Sequence, residues 1–251
     1  MGRHGEEFSD RKTICIGLLG VFLLVIAPMS LLVSHIDLLS SVSYPLGLTF
    51  TLLTDSAGSK GFLFTLFVLV AISWKLIPNR VEWLSKMAQL GLILLIGFAS
   101  KTALKQATES PRPYTELLTH QLLIPQPSHF YNLSTVQQQH VIDDISHSVS
   151  SWRTRHWLGE KDYSFPSGHT IFAAICLAFF GNLFIQKRRY GLAAALSVWA
   201  VGLAYSRLWL GMHRPIDLVG SVLFVLMLYM LAPKFDRITE KLSLRWSQLT
   251  T

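Results

Sequence analysis

Two histidines stand where acid–base or nucleophilic chemistry is possible. His213 and Asp217 are four residues apart at a predicted helix start that Pro215 opens, so they share one helix face. The carboxylate can accept the proton of one ring nitrogen and leave a lone pair on the other, which makes His213 a candidate nucleophile. His169 opens another predicted helix and is a candidate general acid and base. A surface His–Asp pair is the structural alternative.

Cations and backbone N–H groups close to these histidines could hold an anion. Lys105 and Arg112 close one apolar run, and the prolines on either side of Arg112 present its guanidinium on a fixed turn. Arg207 lies near the end of a later run. The backbone around Ser167 and Gly168 precedes a predicted helix, where free N–H groups suit an oxyanion. Anchoring of helix ends at lipid headgroups is the alternative for the cations.

This set is chemically able to transfer a phosphoryl group without a metal ion or another cofactor. Positive side chains can neutralise the phosphoryl oxygens, and the two histidines supply a nucleophile and an acid. Five more histidines fall in a long polar insert, but their spacing is not that of a metal site, and we expect them to be solvated. They are His120, His129, His140, His147 and His156.

The composition indicates that lipid surrounds the elements carrying these residues. The chain is 51% hydrophobic and only 15% charged, whereas charged residues approach about 25% in soluble domains. The formal net charge is +7, but the basic residues lie in short groups at the ends of apolar runs. That distribution argues against a nucleic-acid-binding stripe. Cys15 and Cys176 lack the spacing of a redox or zinc pair.

Six apolar segments predict an all-α, polytopic membrane protein, because about 20 apolar residues cross the hydrocarbon of a bilayer. The predicted spans are residues 13–34, 61–76, 87–108, 170–185, 190–210 and 216–232. Residues 36–60 predict an interfacial or partly re-entrant segment. Residues 109–164 predict a small helical cap outside the bilayer, since apolar residues from Val136 to Trp152 recur at roughly helical spacing. We expect residues 1–251 to form one domain.

The distribution of Lys and Arg predicts the orientation in the membrane. Thirteen of the 22 lie in the amino terminus, the second and fourth loops and the carboxyl tail. Short cytoplasmic loops carry the excess of basic residues, so both termini are expected to be cytoplasmic. The chemical clusters then face the opposite, extracytoplasmic side.

The ordered set of clusters resembles the three-part signature of the type-2 phosphatidic acid phosphatase superfamily. The matching patterns are Lys105-x6-Arg112-Pro113, Pro166-Ser167-Gly168-His169 and Ser206-Arg207-x5-His213-x3-Asp217, without a departure. The six-span layout is similar to the bacterial membrane branch, and the resemblance covers essentially the whole chain. It implies that His213 is the nucleophile and forms a phosphohistidine, that His169 is the general acid and base, and that Asp217 orients His213.

The resemblance also implies the substrates and the location. The expected reaction is hydrolysis of phosphatidylglycerol phosphate to phosphatidylglycerol and phosphate at the bacterial inner membrane. Undecaprenyl pyrophosphate, phosphatidic acid, lysophosphatidic acid and diacylglycerol pyrophosphate are further expected substrates. The partners are thus membrane phospholipids and polyprenyl phosphates, with no nucleic acid. A dedicated undecaprenyl pyrophosphate or lipid A phosphatase is an alternative, and a lipid or anion transporter is the non-enzymatic one.

Overall fold

The computed structural model describes residues 2–33 and 36–231, and this part of the chain contains helices and no strand. The all-α prediction is confirmed for these residues. The α-helices are α1 Gly2–Ile26, α2 Met29–Val33, α3 Tyr44–Asp55, α4 Phe62–Leu76, α5 Arg80–Thr108, α6 Pro113–His120, α7 Thr135–Ile145, α8 Ser151–Gly159, α9 Gly168–Cys176, α10 Asn182–Gln186, α11 Tyr190–Trp209 and α12 Pro215–Leu231. A 3₁₀-helix covers Pro127–Asn132, and a π-helical turn, Leu177–Gly181, joins α9 to α10.

Among residues 2–33 and 36–231, three helical segments are long and apolar enough to cross a membrane. They are Arg80–His120, Gly168–Gln186 and Tyr190–Trp209. The other three predicted spans fall in shorter apolar helices, Lys12–Ile26, Phe62–Leu76 and Pro215–Leu231. Large apolar side chains such as Leu24, Phe64, Phe67, Leu95 and Val198 are exposed on these helices, as expected for surfaces that face lipid.

The first predicted span is not one continuous helix. α1 ends at Ile26, and α2 begins at Met29 after a turn that contains Pro28. Proline has no N–H to donate and its ring clashes with the preceding helical turn, which accounts for the interruption. The continuous segment from α9 to α10 packs against α1, α11 and α12, and its side chains form the centre of the apolar core.

The predicted cap is helical and has an apolar core of its own. α6, the 3₁₀-helix, α7 and α8 enclose Tyr114, Phe130, Ile142 and Trp157, which pack against the residues that follow α11. Trp157 donates its indole N–H to the carbonyl of Leu210 at 2.7 Å. The cap is therefore attached directly to the turn after α11.

The predicted interfacial segment contains α3, which lies between α11 and the cap. A Cβ built on Gly47 of α3 would fall 2.3 Å from the ring of Trp152 on α8. Glycine at this position thus permits the close approach of α3 to the cap.

Part of the charge pattern lies outside the described residues. This holds for the basic residues of the carboxyl tail, Lys234, Arg237, Lys241 and Arg245, and for the ends of the first and last predicted spans, Ser34 and Ala232. The orientation of the chain and the six spans stay predictions.

Candidate active site

Arg112 is fixed on a turn between α5 and α6. Its backbone is extended, with φ −75° and ψ 149°, because Pro113 follows it and begins α6. The side chain is 1% exposed. Its Nε donates to the carbonyl of Asp162 at 2.8 Å, Nη2 donates to the carboxylate of Asp162 at 2.5 Å, and Nη1 donates to the carbonyl of Met212 at 3.1 Å. These contacts hold the guanidinium in one orientation.

A tight turn after α11 carries His213 back over the end of that helix. Gly211 in this turn has a φ of +68°, the left-handed region that glycine adopts without steric cost. The backbone N–H groups of Met212 and His213 donate to the carbonyl of Arg207 at 3.1 and 3.2 Å. His213 is therefore held beside Arg207 by the local backbone.

The two ring nitrogens of His213 face different partners. Nδ1 lies 3.3 Å from Oδ2 of Asp217 and 3.3 Å from Oγ of Ser164. The same carboxylate oxygen accepts hydrogen bonds from the Ser164 hydroxyl and from the backbone N–H of Arg214. Nε2 faces Arg112, whose Nη1 is 3.4 Å away. One nitrogen thus lies against a carboxylate, and the other lies toward a cation.

Arg207 is completely buried near the end of α11. Nη1 donates to Oγ1 of Thr54 at 2.5 Å, and Nη2 donates to Oε2 of Glu160 at 2.7 Å. Nε has no hydrogen-bond partner among the residues that the structure describes. Nε and Nη2 form one edge of the guanidinium, and such an edge can bind two oxygens of one anion.

The Pro-Ser-Gly-His segment begins α9, but some of its polar groups already form hydrogen bonds within the protein. Ser167 caps the helix, its hydroxyl accepting from the N–H of Thr170 at 3.3 Å. We predicted the backbone at Ser167 as a phosphate donor, whereas its N–H donates to Oγ of Ser221 on α12 at 2.9 Å in this structure. A Cβ on Gly168 would fall 2.8 Å from Cδ of Lys101, so this glycine permits a close approach of α5.

His169 lies on the same side of the site as Arg207. Its Nε2 is 3.7 Å from Oε1 of Glu160, and the side chain is 12% exposed. A Cβ on Gly58, just after α3, would fall 3.0 Å from this nitrogen. The structure thus brings motifs that are far apart in sequence to neighbouring ends of α5, α9, α11 and α12.

Residues 86–237 match the PAP2 superfamily, and this range includes all three clusters. The chain belongs to this superfamily. The resemblance inferred from the motifs is therefore confirmed, and the PAP2 match extends over more than half of the 251 residues.

Curated relatives of this PAP2-superfamily chain are bacterial proteins named Phosphatidylglycerophosphatase B. The one from Haemophilus influenzae is 31% identical over 180 residues, which cover 68% of this chain and 74% of that protein. The one from Escherichia coli K12 is 34% identical over 141 residues, 54% of each chain, and one from Shigella flexneri gives the same values. The chain thus spans about half the length of these last two relatives.

Lys105 is joined to the site through Asp162. Its Nζ donates to the carbonyl of Tyr163 and lies 3.2 Å from Oδ2 of Asp162, whose other oxygen binds Arg112. Burial acts to raise the pKa of the Asp162 carboxyl, but the neighbouring Arg112 and Lys105 outweigh it and lower that pKa. Asp162 therefore stays ionised and links the two cations of the first motif.

Glu160 lies in the middle of the predicted phosphate-binding groups. Oε2 is 2.7 Å from Nη2 of Arg207 and 3.3 Å from Nη2 of Arg112. Burial acts to raise the pKa of the Glu160 carboxyl, but the neighbouring Arg207, His169 and Arg112 outweigh it and hold that pKa well below its usual range. Glu160 is thus an anion at neutral pH.

The site contains residues that sequence reasoning missed. They are Thr54, Glu160, Asp162 and Ser164. A signal was available for the two acids, since three buried cations require nearby anions, and Glu160-Lys161-Asp162 lies just before the second motif. Thr54 and Ser164 have no such signal, because an isolated hydroxyl residue is common in any loop or helix.

The cap histidines are not a uniform solvated set. His140 and His147 are exposed, but His156 is 7% exposed on α8. Its ring lies 3.9 Å from Oδ1 of Asp55 and 3.5 Å from Oγ1 of Thr51. Burial lowers the pKa of His156 to about 4. Our expectation of solvation was wrong for this residue, because α8 packs against α3.

The described residues contain no cluster of three or more His, Cys, Asp or Glu side chains that could hold a metal ion. The acids in the site instead contact cations, as described for Glu160 and Asp162. Burial and the neighbouring Arg112, Arg207 and Lys105 lower the pKa of His213 well below its usual value. His213 is therefore a neutral imidazole near pH 7.

Proposed function

We propose that the chain is a membrane lipid phosphatase that hydrolyses phosphatidylglycerol phosphate to phosphatidylglycerol and phosphate. The observation that carries this proposal is the His213 ring, with Asp217 on Nδ1 and Arg112 3.4 Å from Nε2. A neutral imidazole held in this way is a nucleophile next to a cation that can bind the phosphate it attacks. The names of the relatives support this substrate.

The reaction proceeds in two steps that the two histidines share. Nε2 of His213 attacks phosphorus while the P–O bond to the lipid breaks, and His169 donates a proton to the departing alkoxide oxygen. His169 then accepts a proton from water, whose oxygen attacks the phosphohistidine and displaces His213. Asp217 and Ser164 hold the proton of Nδ1 and stabilise the ring throughout.

Charge on the phosphoryl oxygens is neutralised by side chains, and the reaction needs no metal ion. Arg207 offers the edge formed by Nε and Nη2, and Arg112 offers Nη2. Lys105 adds positive charge through Asp162, and the backbone at Gly168 provides an N–H at the start of α9. Preorganised donors of this kind make the largest single contribution to transition-state stabilisation in many enzymes.

The membrane setting explains how a lipid reaches these groups. We propose six spans, cytoplasmic termini and a site on the periplasmic side of the inner membrane. The site lies at helix ends under the cap, so a phosphate can enter at the interface while acyl or prenyl chains stay in the hydrocarbon. Phosphatidic acid, lysophosphatidic acid, diacylglycerol pyrophosphate and undecaprenyl pyrophosphate meet the same requirement and are proposed as further substrates.

The direct test is phosphate release by the purified protein in detergent, with excess chelator, from phosphatidylglycerol phosphate and from undecaprenyl pyrophosphate. We expect chelator-resistant release that His213→Ala abolishes and that His147→Ala, a change at an exposed cap histidine, leaves unchanged. Folded wild type that releases phosphate from neither lipid would refute the proposed function. Equal rates for wild type and His213→Ala would refute the role of His213, and faster release from undecaprenyl pyrophosphate would favour that dedicated function.

A further inference from the structure

The carboxylate of Glu160 lies where three functional groups converge. Arg207, Arg112 and His169 each direct a nitrogen at it, at 2.7, 3.3 and 3.7 Å. These are the residues to which the proposed function assigns phosphate binding and proton transfer. Asp162, by contrast, forms its ion pairs with Arg112 and Lys105.

A carboxylate in this position and a bound phosphate exclude each other. Guanidinium groups bind carboxylate and phosphate oxygens through the same N–H donors. Nη1 of Arg112 is the donor that lies 3.4 Å from the attacking nitrogen of His213, while Nη2 of the same group contacts Glu160. A phosphate in reach of His213 and both arginines therefore needs the donors that Glu160 now uses.

Glu160 can leave without disturbing the cap. It follows Gly159 at the end of α8, and a Cβ on Gly159 would meet no heavy atom within 4 Å. The Glu160 side chain is 29% exposed. Trp157, one turn earlier, is fully buried and bonded to Leu210. Rotation of the Glu160 side chain toward solvent therefore leaves the hydrogen bond between Trp157 and Leu210, which attaches α8, in place.

The charge of the competing anion decides which ligands can displace this carboxylate. Glu160 is singly charged and tethered, so it acts as a competitor at a high effective concentration. A phosphodiester lipid carries one negative charge on its phosphate and gains no additional neutralisation by exchange. A terminal phosphate monoester carries about two near pH 7, since its second pKa is about 6. The monoester is therefore attracted more strongly than the diester to Arg112 and Arg207.

We propose, resting on the proposed function, that Glu160 is a specificity-determining residue whose carboxylate competes for the phosphate subsite and admits lipids with a terminal phosphate, whether a monoester or a pyrophosphate, over phosphodiesters. Membrane phospholipids, which are diesters present in great excess around the site, are thereby excluded. The lipid product of phosphatidylglycerol phosphate hydrolysis is also a diester, so return of the carboxylate promotes its release.

The test measures anion binding in isosteric and matched variants. Glu160→Gln keeps the shape of the side chain and removes its charge. Glu116→Gln is the control, because Glu116 is a half-exposed acid that binds Arg214 at the edge of the site. Binding of inorganic orthophosphate is measured by calorimetry, and inhibition by dihexanoyl phosphatidylglycerol is measured during hydrolysis of dioctanoyl phosphatidic acid.

We expect Glu160→Gln to bind orthophosphate about tenfold more tightly or better, because the charged competitor for the arginine N–H donors is lost and hydrogen bonds to charged groups are the stronger ones. The phosphatidylglycerol diester should become an inhibitor of this variant while barely inhibiting wild type and Glu116→Gln. Glu160→Asp, which keeps the charge on a shorter arm, should give an intermediate affinity and decides the question if the Gln variant does not fold.

The outcomes separate this proposal from the proposed function. Unchanged or weaker orthophosphate binding by folded Glu160→Gln, in a protein whose wild type hydrolyses the substrate, overturns the role of Glu160 alone. If Glu160 has a purely structural role, Glu160→Gln should bind orthophosphate more weakly and should also have a lower melting temperature than wild type. A wild type that neither hydrolyses phosphatidic acid nor phosphatidylglycerol phosphate overturns the proposed function instead.

Discussion

Arg112 and His213 are 101 residues apart in the sequence, yet Nη1 of Arg112 lies 3.4 Å from Nε2 of His213. The prolines around Arg112 and the turn at Gly211 bring the two side chains together from different helix ends. This relationship gives the proposed nucleophile and the proposed phosphate-binding cation a fixed geometry.

Replacing Arg112 by lysine tests that geometry. Lysine keeps the positive charge but has no planar fork, so it cannot hold Asp162 and a phosphate at the same time. We expect kcat/KM for phosphatidylglycerol phosphate to fall about 100-fold or more, the loss typical of removing one donor to a transition-state oxyanion. Arg155→Lys on the exposed surface of α8 is the matched control, and equal activities of the two variants would contradict this assignment.

Ser164→Ala tests the second partner of the His213 ring. The Ser164 hydroxyl contacts both Nδ1 of His213 and Oδ2 of Asp217, so its loss loosens the ring without removing the carboxylate. We expect kcat to fall about tenfold, in line with the roughly 1–2 kcal/mol of a buried hydrogen bond. Asp217→Asn should cost more, because it leaves the ring without its charged partner. A Ser164→Ala variant with unchanged kcat would exclude a positioning role for this hydroxyl.

The pH dependence of kcat/KM reports the starting states of the two histidines. Attack requires neutral His213, and its lowered pKa places the acid limb of the profile below about pH 6.5. His169 must be protonated in the enzyme–substrate complex, so kcat, which reports the groups of that complex, falls at high pH, and the two limbs together give a bell-shaped dependence. A flat profile from about pH 5 to 9, with chemistry rate-limiting, would contradict the two-histidine mechanism.

Lys105→Gln should move the acid limb in a defined direction. Lys105 is one of the cations that lower the pKa of His213, so removing its charge raises that pKa. The acid limb then shifts to higher pH, in addition to any loss of rate. The same measurement on Lys161→Gln, a change at a partly buried residue of the neighbouring loop whose Nζ donates to the carbonyl of Thr135, should leave the acid limb in place. A shift to lower pH in Lys105→Gln would disprove the electrostatic account.

His156 should make the folded protein sensitive to acid. Its pKa is about 4 in the fold and about 6.5 in the unfolded chain, so the unfolded chain binds more protons between these values. The contribution of neutral His156 to the free energy of unfolding is fully present above about pH 6.5. It is lost as pH falls toward 4, by at most about 1.4 kcal/mol per pH unit. Melting temperature in detergent should fall less over this interval for His156→Gln than for wild type. Identical pH dependence in the two proteins would contradict the burial effect.

The sequence was sufficient for features that depend on local chemistry. Arg112, His169, Arg207, His213 and Asp217 could be singled out because titratable residues are costly at the ends of apolar runs, and because proline and glycine fix the turns beside them. The helical class and the helical cap followed from hydropathy and spacing in the same way.

Features that depend on packing between distant elements could not be derived from spacing. Val136 was counted among the apolar cap residues at helical spacing, but it is 79% exposed, because it lies five residues before Val141 in α7 and so on a different face of that helix. Burial of His156 requires α3 to lie against α8, and the engagement of Ser167 requires Ser221 of α12 beside it. The position of Glu160 depends on three helix ends at once.

The measurement closest to the central claim is detection of the phosphoenzyme. Wild type, His213→Ala and His169→Ala would be mixed with lipid labelled in its terminal phosphate and quenched with alkali within one turnover. We expect an acid-labile, alkali-stable label on His213 in wild type and no label in His213→Ala. Any label that forms in His169→Ala should persist longer, because hydrolysis of the phosphohistidine by water has lost its general base. A label that survives in His213→Ala, or single-turnover hydrolysis by wild type with no label at all, would contradict it.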